Sequence, residues 1–343
     1  LVDLAPAAAE AGFAAGQQAR SVFANDAAMD LLRGALDAFS VVPRPYADDL
    51  RARAVGAWVT IADIHLDAED TEAATDAAKV AIALAATDEQ RADAWAKLAG
   101  VAYRRGDMER FGATIRDGLA ALREDAPAPR ARLVSDLGWG LHRQGRRDEA
   151  RSLLAQALPV LAESGDDVLL ARCLDRLALV TSWTDPARAL RLEDDALAAA
   201  RRTADETVVA VVLLHRAEIL EMADRPDEAL VDLDAAAQRF VVAGDRYMQS
   251  VSSWVRATIL DKRGDLAGAL AARDVEVDLL AEVGNALNLA AAHHHRSRLL
   301  AALGRDDEAA LASVAAVAAA RDSGDPAILA RVGAEPTGRV REG

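Results

Sequence analysis

The chain has 343 residues, and 40 Lys and Arg against 55 Asp and Glu give a formal net charge of −15, a balance that disfavours direct nucleic-acid binding because such a surface on average repels a polyanion. Hydrophobic residues make up 52% but aromatics only 4%, so the apolar content is mostly Ala, Leu and Val, which suits closely packed helices and disfavours strands. A single cysteine, Cys173, excludes an internal disulfide and a Cys-built zinc site, and the uncharged Ala-rich run 309–320 is too short for the roughly 18 residues of a membrane span.

In chain order the pattern divides into about eight two-helix units. The first, 5–40, is Ala-rich from Leu4 to Ala19 and starts abruptly, so another domain or subunit is expected to cover it; Asp3 and Glu10 stand where a secretory leader would be basic. Pro43 and Pro45 interrupt the pattern at 41–48, and the interval from Ala28 to Ala74 stretches to 46 residues instead of 40. Units follow at 48–86 and 88–124, then a Pro-containing break at 125–129 opens the next helix. The remaining units span 127–164, 166–203, 205–243, 245–283 and 285–323, and 326–343 is expected to be a short helix and a frayed tail.

The period is carried by glycines. Gly244, Gly264, Gly284, Gly304 and Gly324 recur every 20 residues, as do Gly145 and Gly165, and the apolar residues between them follow helical spacing. Glycine suits the residue after a helix, where φ is positive and a side chain would clash. Two kinds alternate. Gly165, Gly244, Gly284 and Gly324 precede Asp or Asn, residues that cap the next helix, whereas Gly106, Gly145, Gly264 and Gly304 lead into acidic first turns. One repeat is therefore two helices and about 40 residues. Small residues seven apart, such as Ala28 and Ala35, Ala74 and Ala81, Ala150 and Ala157, Ala189 and Ala196, Ala229 and Ala236, and Ala309 and Ala316, predict close contact of the second helix with the first. Phe111 with Gly118, and Glu276 after Ala269, break this rule, and the contacts there are expected to be the least regular.

Trp95, Leu98, Gly106 and Asp107, and then Leu137, Gly138, Leu141, Gly145, Glu149, Ala150 and Ala157, resemble the tetratricopeptide repeat (TPR) at matching offsets. The resemblance covers about 5–325, and its long period is similar to the repeat tails of large bacterial ATP-binding transcriptional regulators and to peptide-sensing regulators. The segment from Ala14 to Leu36 resembles the start of such tails. The resemblance implies an all-α, right-handed α-solenoid with first helices inside and second helices outside. It implies a module of a signalling or transcription-regulatory protein that binds a protein or peptide in its concave groove or self-associates, and the single cysteine fits a reducing, cytoplasmic compartment. The alternative is a ligand- or peptide-sensing regulator whose curvature changes.

No phosphate-loop, dinucleotide-binding, His-Glu-x-x-His or Gly-x-Ser-x-Gly pattern occurs, so no enzymatic activity and no cofactor are expected. His293, His294 and His295 point about 100° apart on a helix and cannot converge on one ion; one is expected between helices and the others toward solvent or groove. Cys173 is read as a buried small residue. Trp58 and Trp95 read as core, and Trp183 as cover for a hairpin end. Trp139 and Trp254 fall on the groove side, where a large aromatic is either filler or an anchor for a bound segment. The same face carries Tyr103, Arg104, His142, Arg143, Glu218, Glu221, Met222, Asp261, Lys262, His294 and Arg298. Both signs of charge around aromatics suit a polypeptide better than a small anion.

Overall fold

The computed structural model describes residues 4–21, 24–68, 70–203 and 205–333, and among them it is all helix, without a strand. The helices form consecutive hairpins: α1 (Ala5–Ser21) with α2 (Asn25–Ser40), α3 (Asp48–Asp67) with α4 (Thr71–Leu84), and α5 (Asp88–Arg104) with α6 (Met108–Ala121). Next come α7 (Pro127–Arg143) with α8 (Arg147–Glu163), and α9 (Asp167–Ser182) with α10 (Pro186–Ala200). Then follow α11 (Glu206–Met222) with α12 (Pro226–Ala243), α13 (Arg246–Lys262) with α14 (Leu266–Val283), and α15 (Ala286–Ala302) with α16 (Asp306–Ser323), closed by α17 (Pro326–Gly333). The expected frayed tail, 334–343, lies outside the described residues. The chain divides into two compact units, Leu1–Thr203 and Ala204–Gly343.

Helix ends follow from side chains of two kinds. Asp166, Asp245 and Asn285 accept the N–H groups of Leu169, Met248 and Asn288, which satisfies donors the first turn leaves free. Each follows a glycine, and Gly244 at φ +69° sits in the left-handed region that a side chain would strain. At the other turns Asp107 and Asp265 cap in the same way, but Arg146, Arg225 and Arg305 do not. Each of these arginines instead forks onto a glutamate three residues on, Glu149, Glu228 and Glu308, holding a carboxylate at the positive end of the helix dipole.

The small-residue rule becomes close packing. Ala150, Ala157, Ala189, Ala196, Ala229 and Ala236 are at most 2% exposed, so nothing larger fits between the helices. Where the rule breaks at Phe111 and Gly118, large and small trade places: Phe111 fills the space over Gly140, and Trp95 lies over Gly118. The α5–α6 hairpin is the least closely packed of the eight, as expected. The expectation at Glu276 is corrected. Its carboxylate is buried against the Arg273 guanidinium at 2.6 Å, and α13 and α14 pack as closely as their neighbours, because a paired charge can fill a core position that an unpaired one cannot.

Within the first unit α1, α3, α5, α7 and α9 pack successively on one another, whereas no pair of even-numbered helices makes comparable contact. The odd helices converge, so that side of the first unit is its concave side.

Candidate functional site

Three helix stripes with three- and four-residue spacing meet on the concave side of the first unit. Lys97, Gly100 and Tyr103 come from α5, Arg132, Asp136 and Trp139 from α7, and Arg172 and Arg176 from α9. They line an open-sided cavity of about 230 Å³, and Phe111, Leu161 and Leu169 supply apolar wall. Trp139 is half-buried and stacks on the His142 imidazole, with centroids 5.3 Å apart and planes 27° apart; the Arg143 guanidinium lies 6.0 Å from its ring. Tyr103, also half-buried, meets Phe111 edge-on at 6.0 Å.

The charges of this face form pairs between successive odd helices. Lys97 donates to Asp63 at 2.7 Å, Arg132 pairs with Asp93, and Arg176 donates to Asp136 at 2.7 Å and to the Ser135 hydroxyl at 3.0 Å. Burial pushes the Arg132 pKa below its ordinary value; Asp136 opposes that shift, and the nearby positive charges of Arg172 and Arg176 reinforce it. Asp63 and Asp93 do not line the cavity, which is itself lined by four cations and one carboxylate. Such a surface offers many N–H donors to an oxyanion and apolar rings to the chain carrying it.

Of the residues singled out in the sequence, Tyr103 and Trp139 line this cavity, and Arg104, His142 and Arg143 lie in the last turns of the same helices. The core of the cavity went unnoticed: Lys97, Arg132, Asp136, Arg172 and Arg176 sit mid-helix, where charge reads as solvated surface. The repeat carried a signal, since Arg132 and Arg172, and Asp136 and Arg176, are each 40 residues apart.

In the second unit the Lys262 ammonium donates to Glu221 at 2.6 Å between α13 and α11. Met222, Trp254, Asp261 and Arg298 are exposed, and Glu218 is half-buried. His294 is buried and meets His295 edge-on at 5.6 Å, while His293 and His295 are half-buried, so the adjacent imidazoles diverge. Among the described residues no three His, Cys, Asp or Glu side chains group as metal ligands would. Cys173 is fully buried and burial raises its thiol pKa. Trp58 and Trp95 pack against core clusters, whereas Trp183 is exposed, beneath the Arg147 guanidinium at 4.2 Å. No helix among the described residues is long and apolar enough to cross a membrane.

No protein-family profile matches the chain, and no curated protein matches it in sequence. Solved structures do share its backbone. A Rap protein complexed with competence and sporulation factor is similar at a TM-score of 0.61 and 12% identity, over 96% of this chain and 96% of that one. A signal-transduction ATPase with numerous domains and a tetratricopeptide repeat sensor, from Pyrococcus horikoshii, is similar at 0.60 and 12% identity, over 89% of this chain but 49% of that one, about half its length. An aspartyl phosphate phosphatase from Bacillus subtilis is similar at 0.54 and 12% identity, over 86% of this chain and 74% of that one. These likenesses establish the fold, a TPR-like helical repeat.

Proposed function

We propose that this TPR-like repeat is a binding module that holds a partner polypeptide along the odd-helix face of its first unit, and that it serves a cytoplasmic signalling or transcription-regulatory system by contact, without turnover. The observation that carries the reading is the cavity between α5, α7 and α9, where aromatic walls and charged donors converge at one place on the concave side. Polypeptide recognition needs that combination, apolar anchors beside groups that fix orientation. The Rap protein complexed with competence and sporulation factor, and the tetratricopeptide repeat sensor of the Pyrococcus horikoshii protein, support a second reading, in which the bound polypeptide is an effector that changes the curvature of the array.

Thermal unfolding of the full chain with pools of random hexapeptides tests the proposal, because a ligand of the folded state raises the midpoint by an amount that grows with the logarithm of its concentration above Kd. At least one pool is expected to raise it, and Trp139→Ala to abolish the rise. Midpoints indifferent to every pool, together with stable dimers by light scattering, would instead identify a self-assembling scaffold.

A further inference from the structure

Position by position, the odd helices carry charge in register. Asp93, Arg132 and Arg172 each stand five residues beyond the first residue of their helix, Asp88, Pro127 and Asp167. Pairing along this row runs from an acid on one helix to a base on the next odd helix, as in Asp93 with Arg132. Arg172 breaks the series: the position that should offer it a carboxylate holds Arg132, and Arg132 is already paired. Arg172 has no hydrogen-bond or ion-pair partner among the described residues, is exposed, and lines the cavity beside Arg132 and Arg176. The neighbouring row is balanced, Asp136 with Arg176 at 2.7 Å. Among the described residues Arg172 is thus the one cation of the cavity without a carboxylate beside it.

The size of the cavity says what can supply it. At about 230 Å³ it is smaller than the roughly 300–1,000 Å³ that whole small-molecule ligands occupy, but ample for one side chain. A nucleic acid would need cations spread along a path, whereas these four converge on a single pocket in a chain of net charge −15.

We infer that the cavity is a subsite for one anionic side chain of the bound polypeptide, with its oxyanion beside Arg172 and its stem against Trp139. Glutamate, aspartate and phosphoserine share the chemistry required: a compact oxyanion that accepts charge-assisted hydrogen bonds. The inference rests on the polypeptide reading above and adds the residue class that the polypeptide must contain. Arg172 is exposed and makes no hydrogen bond or ion pair among the described residues, so its substitution is expected to leave the fold intact and to isolate its contribution to binding.

The test is a positional-scanning hexapeptide library, each pool fixing Glu, Asp, phosphoserine or Gln at one position, titrated against the full chain by fluorescence polarisation. Anionic pools at one position are expected to bind about tenfold tighter than the matched Gln pool. Arg172→Gln is expected to erase that difference while leaving the unfolding midpoint unchanged. The ranking of the Glu and phosphoserine pools distinguishes carboxylate from phosphate. Binding without preference for an anion, or a preference that survives Arg172→Gln, would overturn the inference and leave the polypeptide reading standing. Failure of every pool to bind would overturn both.

Discussion

A methyl group separates tolerance from damage along these helices. A Cβ at Gly138 would lie 2.9 Å from Leu154 Cγ and 3.3 Å from the Ala150 carbonyl, both on the facing helix α8. Gly138→Ala is therefore expected to cost about 1–3 kcal/mol despite its gain in helix propensity. Gly34, in α2 and exposed, has nothing within 4 Å of such an atom, so Gly34→Ala is expected to stabilise by about 0.4–1 kcal/mol. Urea unfolding of the two variants checks the opposite signs. Position 138 had been noticed as part of the repeat pattern, but its crowding depends on Leu154 of the facing helix, which no sequence spacing reveals.

Protonation makes a second residue-scale prediction. Burial pushes the His295 imidazole down to about 4, and the positive charges of Arg273, His294, Arg298 and Arg331 push the same way. Burial and Arg296 likewise lower His293. A histidine with a depressed folded pKa binds its proton more readily when unfolded, so its stabilising contribution is complete above about 6.5 and is lost as pH falls from there toward 4. The unfolding midpoint is expected to drop between pH 7 and pH 5, and His295→Gln to drop less. Calorimetry across that interval showing identical slopes for both proteins would refute the assignment.

At the scale of the element, caps and turns were the most legible part of the fold, because they are written within a few consecutive residues. Asp166 after Gly165 predicts the start of α9, and its carboxylate does accept the Leu169 N–H at 3.0 Å. Asp166→Ala is expected to cost roughly 0.5–2 kcal/mol, read as a lowered urea midpoint at unchanged slope. Less legible was the pairing of one element with the next. Glu276 looked like a defect in the small-residue stripe because Arg273, one turn away, was not recognised as its partner inside the hairpin. Arg172 and Arg176 read as ordinary helix surface until α5, α7 and α9 were set side by side, since the charge surplus belongs to three helices together and to none of them alone.

For the whole molecule, the two compact units carry separate cores: Phe13, Leu32 and Ile61 belong to a cluster of the first, and Leu270, Leu299 and Leu300 to one of the second. In a repeat array each hairpin depends on its immediate neighbours, so stability is local. A chain ending at Thr203 is accordingly expected to keep its helical circular dichroism and a cooperative melt, and to retain the binding ascribed to the α5–α9 face. Loss of helicity in that fragment would mean that the first unit depends on residues beyond 203.

Amide hydrogen exchange of the full chain, with and without its tightest-binding anionic hexapeptide, tests the central claim most directly, because protection maps contact helix by helix. Slowed exchange should be confined in the first unit to α5, α7 and α9 and should weaken with Arg172→Gln at the same peptide concentration. Protection on the even-numbered helices of that unit, or none on the odd ones, would contradict the assignment of this face as the place where the protein meets its partner.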